Sequence, residues 1–195
     1  MPIPFHDPEE VEALGAAAFL KIEPLGPRDG ARPGGQPGAG YIGALFLINA
    51  RGEPLEFAYN RIETPDTFLW RRADLRRHSH RKLVASLFTV CVRVPRLLLC
   101  MANEVSSELF CQDLRLSLPV ARLGRPLQAV AHAGVEIEAS IDEPEPLHLF
   151  WFPAPPAEDS GEQRLFERLL AHGLLVEPFE RAVAGLREGE GEAPV

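Results

Sequence analysis

From Tyr41 to Ile48 the chain reads YIGALFLI, an unbroken apolar run of the kind found in strands covered on both faces. Asn49, Ala50, Arg51 and Gly52 follow, with Asn where a type I turn wants it and Gly where a left-handed residue is needed. From Glu53 to Ile62 the pattern alternates: Leu55, Phe57 and Tyr59 fall on one face, Glu56, Ala58 and Asn60 on the other. Together these stretches predict a β-hairpin at about 41–62.

The flanking patterns are shorter. Asp7-Pro8-Glu9-Glu10 reads as a helix start, with Val11, Leu14, Ala17 and Ala18 as its apolar stripe. Residues 18–25, AFLKIEPL, fit either the end of that helix or a strand, because so short a run has no decisive period. Thr64-Pro65-Asp66 reads as a second helix start, with helix continuing to about Val92. A buried strand is expected around Leu97–Met101, and a short helix capped by Asn103 over Glu104 to Phe110. Residues 113–120 and 135–141 alternate as half-exposed strands, and LHLFWF at 147–152 reads as a buried one. Beyond the proline-rich 153–161, Leu165, Phe166, Leu169 and Leu170 mark one amphipathic helix, and Phe179, Val183 and Leu186 mark another.

The fold class expected is α+β: a mixed, mainly antiparallel sheet that includes the hairpin, flanking helices and a C-terminal helical pair. Residues 1–152 form the domain, 153–188 supply the connector and helices that pack on it, and 189–195 are an acidic, disordered tail. Residues 26–40 hold six glycines and three prolines and read as a flexible loop. That loop is followed by no GK[ST] and belongs to no strand–GxGxxG–helix unit, so nucleotide binding is not expected there.

Charge changes the picture at one place. Residues 71–96 carry Arg71, Arg72, Arg76, Arg77, Arg81, Lys82, Arg93 and Arg96 against Asp74 alone, a net of +7. The whole chain carries −8, which leaves −15 for the rest: an acidic body with one basic segment. On a straight helix from Arg72, Arg76, His80, Arg77 and Arg81 share the sector of roughly 20–180° with Leu83, Leu87, Val84 and Phe88. Burying that sector whole would strand guanidinium groups in the core. Either the first half of the helix projects beyond the core, or the helix breaks near Ser79. Three destinations then compete for the exposed cations: the acidic body itself, the C-terminal helices included; an acidic protein partner; and a nucleic-acid backbone. The net charge and the few aromatics nearby, Phe68 and Trp70, rank nucleic acid third.

The remaining chemistry is thin. Cys91, Cys100 and Cys111 lack CxxC spacing and read as buried small hydrophobes rather than disulfides or nucleophiles. His78 and His80 diverge by about 200° on a helix, so they form no metal pair. His6, His132, His148 and His172 form no ligand set. The carboxylates of 136–148 read as a solvated face, with Glu136 and Glu138 opposite Val135, Ile137 and Ala139. No serine lies in a GxSxG or SxxK motif. No catalytic residue, metal or cofactor is therefore assigned, and the interaction residues assigned are Arg71, Arg72, Arg76, Arg77, Arg81 and Lys82.

With no span of eighteen apolar residues and no basic-then-apolar N-terminus, a cytoplasmic protein without membrane contact is expected. The leading expectation is a non-enzymatic interaction domain, an accessory subunit that contacts a protein partner in a larger assembly. A nucleic-acid-binding factor using 71–96 comes second. An enzyme whose site one sequence does not reveal comes third. Oligomeric state is left open.

Overall fold

The chain enters its sheet early. A single helical turn, α1 (Val11–Leu14), ends at Gly15, whose φ of +75° stops the helix. Strand β1 (Ala17–Leu25) follows at once, so Ala17 and Ala18 belong to the sheet and not to a helical stripe. The run 18–25 is a strand because Ala17 to Leu20 are covered from both sides and hydrogen-bonded to neighbours on both edges. The computed structural model describes residues 11–25, 40–65, 69–125, 131, 134–141 and 146–191, with side chains to Gly189. The expected helix start at Asp7, nearly all of the glycine-rich loop, Asp66, Phe68 and His132 lie outside the described residues, as do 142–145 and 192–195.

The hairpin is present. β2 (Gly40–Ile48) pairs antiparallel with β3 (Pro54–Glu63) through a turn that Asn49 organises. The Asn49 Oδ1 accepts the N–H groups of Arg51 and Glu53, both at 3.0 Å, and its carbonyl accepts Gly52 N–H at 3.0 Å. Gly52 has φ +81°, the left-handed conformation that glycine adopts without cost.

Helix α2 (Arg72–Val90) then crosses one face of the sheet. It begins eight residues after Thr64, with Arg71 at its cap position and no side-chain cap; residues 66–68, in the first turn of the start expected at Thr64, lie outside the described residues. Gly43 of β2 lets the helix settle closely: a Cβ there would meet Leu83 Cδ2 at 3.0 Å. β4 (Leu97–Met101) follows, then a turn and a π-type helical segment, Leu109–Asp113, in place of the expected helix at 104–110. β5 (Val120–Gly124) is buried throughout, and residues 114–119, expected as part of a strand, are not in one. β6 (Ile137–Ile141), β7 (Leu147–Phe152), α3 (Gly161–Ala171) and α4 (Glu177–Gly191) complete the chain. Ser160 caps α3 by accepting Gln163 N–H at 3.0 Å.

The seven strands lie in the order β3-β2-β1-β4-β5-β7-β6. The β1–β4 and β4–β5 pairs are parallel and the other four antiparallel. The fold is α+β, with a mostly antiparallel mixed sheet between two helical layers. On one face Phe19, Phe46, Leu97, Leu99 and Leu123 pack against α1, α3 and α4. On the other, Leu20, Leu45, Leu98 and Cys100 pack against Leu83, Val84 and Leu87 of α2 and against Val105 to Phe110. Both faces of the central strands leave water, which is why they read as continuous apolar runs. Among the described residues no helix is long and apolar enough to cross a membrane.

Candidate functional site

Helix α2 is continuous through Ser79, so of the two ways of exposing its cations the projection is the one realised. In residues 72–78 only Leu75 is buried, whereas Ser79, His80, Leu83, Val84 and Leu87 fill the sector that meets the sheet. Arg71, Arg72, Arg76, Arg77, Arg81 and Lys82 are all exposed. Arg77 grips Asp113 with two hydrogen bonds, Nε to Oδ2 at 2.7 Å and Nη2 to Oδ1 at 2.6 Å, and also reaches Gln112. Arg76 Nη2 donates to the Glu104 carbonyl at 3.0 Å. The side chains of Arg71, Arg72, Arg81 and Lys82 carry no hydrogen bond or ion pair among the described residues. Among the described residues, Arg77 is the one of these six cations with a carboxylate partner, and that partner is Asp113 rather than a residue of the C-terminal helices, which pack on the other face of the sheet.

The two histidines of the segment part company. The His78 ring packs on Trp70, centroids 4.9 Å apart, at the surface. His80 turns inward against Tyr41, edge to face at 4.7 Å, with Nε2 unpartnered. Burial, with Arg76 nearby, lowers its pKa to about 4, so at neutral pH it is uncharged.

A second cluster lies beside this helix. From β1 the chain moves outward to β2, and from β4 it moves the other way to β5, so a topological switch point lies between the carboxyl ends of β1 and β4. Lys21, on β1, pairs there with Glu104, which follows β4, and lies 3.6 Å from Glu23. The other Glu104 oxygen accepts Ile22 N–H at 3.5 Å. Beneath, Arg122 of β5 donates Nη1 to the Val105 carbonyl at 3.1 Å. Its Nε and Nη2 hold both oxygens of Glu136, at 2.6 and 2.8 Å, in a buried pair. Arg76, Lys21 and Arg122, from three elements, thereby fix the turn over 102–105.

The expectation that Glu136 is solvated is incorrect. Glu136 lies inside the fold, while Ile137, expected inward, is 49% exposed on the edge strand. Sequence reasoning missed Lys21, Glu104, Arg122 and Glu136. The available signal was an arginine inside the apolar stretch PVARLG, which requires a buried partner.

A divalent metal ion needs several converging oxygen ligands. Among the described residues no group of three His, Cys, Asp or Glu side chains is placed to hold a metal ion. The Glu104 carboxylate, at the switch point, already engages an ammonium and a backbone N–H. The described residues at this strand end do not fit a metal ion. The surroundings of the three thiols disfavour the thiolate form. Burial pushes Cys91 and Cys111 up to about 11 and fully buried Cys100 higher still. Glu138 and His148 form a surface pair at 2.7 Å across β6 and β7.

The fold is similar to that of a solved structure. Endonuclease V from Bacillus subtilis superimposes with a TM-score of 0.57 at 11% identity, over 93% of this chain and 84% of that one. A Marinitoga piezophila Argonaute in complex with guide RNA and target DNA overlaps with a TM-score of 0.34 at 8% identity, over 83% of this chain and 26% of that one. No protein-family model and no curated protein matches the chain. The endonuclease V likeness corrects the leading expectation of a non-enzymatic subunit built for protein contacts: the chain has the fold of an enzyme structure over nearly its whole length.

Proposed function

We propose that this protein acts on nucleic acid and holds the phosphate backbone with the exposed cations of α2. The observation that carries the reading is the exposure of Arg71, Arg72, Arg76, Arg81 and Lys82 at the cap and along the first three turns of α2, in a fold similar to that of endonuclease V. The acidic body does not forbid such a contact. At about 0.15 M salt the screening length is about 8 Å, so more distant carboxylates act weakly on a phosphate held against the helix. Arg77 has a different part. Its ion pair with Asp113 ties the helix to the segment after β4, and the cations without a carboxylate partner among the described residues make the contact.

The test is fluorescence anisotropy with labelled DNA and RNA across a salt series. Five backbone contacts on a duplex give a log–log slope of about −4.5, by the rule of −0.9 per phosphate. The triple variant Arg72→Glu, Arg81→Glu, Lys82→Glu should lose binding at about 150 mM salt and keep its unfolding midpoint, because none of the three side chains has a partner to lose. Wild-type protein that binds no nucleic acid at about 50 mM salt, or a triple variant that binds as wild type does, refutes the proposal.

A further inference from the structure

We infer that Trp70 is a stacking platform for an unpaired base, which makes single-stranded nucleic acid the preferred ligand of the basic helix; the inference rests on the reading of that helix as a backbone-contacting surface. The chain holds two tryptophans, and they are placed oppositely. Trp151 is 3% exposed and packs edge-on against Phe166, centroids 5.1 Å apart. Trp70 is 38% exposed, next to Leu69 at 73%. Its ring lies against the His78 ring at 4.9 Å with an interplanar angle of 38°, so it is held in place while part of it stays open to water. Arg71 and Arg72 follow it directly, and Arg81 and Lys82 stand further along the same helix, unpaired among the described residues.

An indole left open at a surface costs the protein the burial it would gain in a core. Proteins that bind single strands use this combination: cations track the phosphates, and an ordered aromatic receives the face of a base. A duplex presents its base faces to its own neighbours and offers one only at its ends, so a stacking contact discriminates against it. His78 limits the motion of the indole and so lowers the ordering cost of binding.

The experiment compares three probes of equal length by anisotropy: a thymidylate 12-mer, an abasic 12-mer with the same phosphates, and a 12-base-pair duplex. Stacking is worth about 1–3 kcal/mol per base, so Trp70→Ala should weaken thymidylate binding roughly 5-fold to 150-fold and leave the abasic and duplex affinities unchanged. Trp70→Phe should retain most of the affinity. Intrinsic tryptophan fluorescence of the wild type should be quenched by thymidylate and not by the abasic strand. Trp70→Phe should abolish that quenching, since buried Trp151 is then the remaining indole. Equal wild-type affinity for thymidylate and abasic strands, or full thymidylate binding by Trp70→Ala, overturns the inference and leaves the backbone contact standing. Failure of the wild type to bind any of the three overturns both.

Discussion

Removing Glu136 tests how the strand-end cluster is held. Both carboxylate oxygens of Glu136 are engaged by Arg122, whose side chain is 6% exposed against 1% for the glutamate. Burial would by itself lower the Arg122 pKa, but the Glu136 hydrogen bonds and charge outweigh it and the net shift is upward. The guanidinium therefore cannot escape an empty partner site by deprotonating. Glu136→Ala leaves a positive charge in the interior without its bidentate carboxylate, beside the Val105 and Ala102 carbonyls and the Phe150 ring, 5.4 Å away. Breaking such a pair from one side costs about 3–5 kcal/mol. For a chain of this size that is a fall in melting temperature of roughly 6–20 °C. Arg122→Met with Glu136→Leu removes both charges and should recover part of the loss. Recovery stays incomplete because the Val105 carbonyl loses its buried donor, at about 1–3 kcal/mol. The assay is urea denaturation followed by circular dichroism, with the slope checked for constancy. A cost for Glu136→Ala below about 1 kcal/mol, or a double variant less stable than the single one, refutes the account of the pair.

Gly52→Ala should destabilise by about 1 kcal/mol or more, measured in the same titration, because φ is +81° and the new methyl meets Leu174 Cδ1 at 3.0 Å. His80 titrates near 6.5 when unfolded and at about 4 in the fold, so the unfolded chain binds the extra proton and stability falls as pH drops from about 7 to about 4. His80→Leu should flatten that part of the profile by on the order of 2–3 kcal/mol, and an unchanged slope would show that His80 is not its source. Cys91, Cys100 and Cys111 should resist iodoacetamide at pH 7 in the native state and react on unfolding, as followed by mass spectrometry.

The elements that the sequence alone determined are those whose periods are local. The hairpin was legible because a run buried on both faces, an Asn–Gly turn and an alternating strand succeed one another within 22 residues. The helical spacings of 165–170 and 179–186 were legible for the same reason. The wheel required the cations of α2 to reach the surface, because cations and apolar residues could not share one buried sector, but it left projection and a break near Ser79 equally open; the unbroken helix decided between them. What tertiary structure decided was the strand status of 18–25, the loss of strand at 114–119 and the whole of the strand-end cluster. Ala17 to Leu20 are strand because β2 and β4 supply hydrogen bonds on both sides, and neither neighbour is visible in an eight-residue window. Glu136 and Ile137 exchanged their expected places because β6 is an edge strand and Arg122, fourteen residues earlier, draws the carboxylate inward. Lys21 and Glu104 are 83 residues apart, and only the parallel pairing of β1 with β4 brings them together. Hydropathy records which side chains leave water; which charge meets which depends on strand order, and that is settled when the sheet assembles.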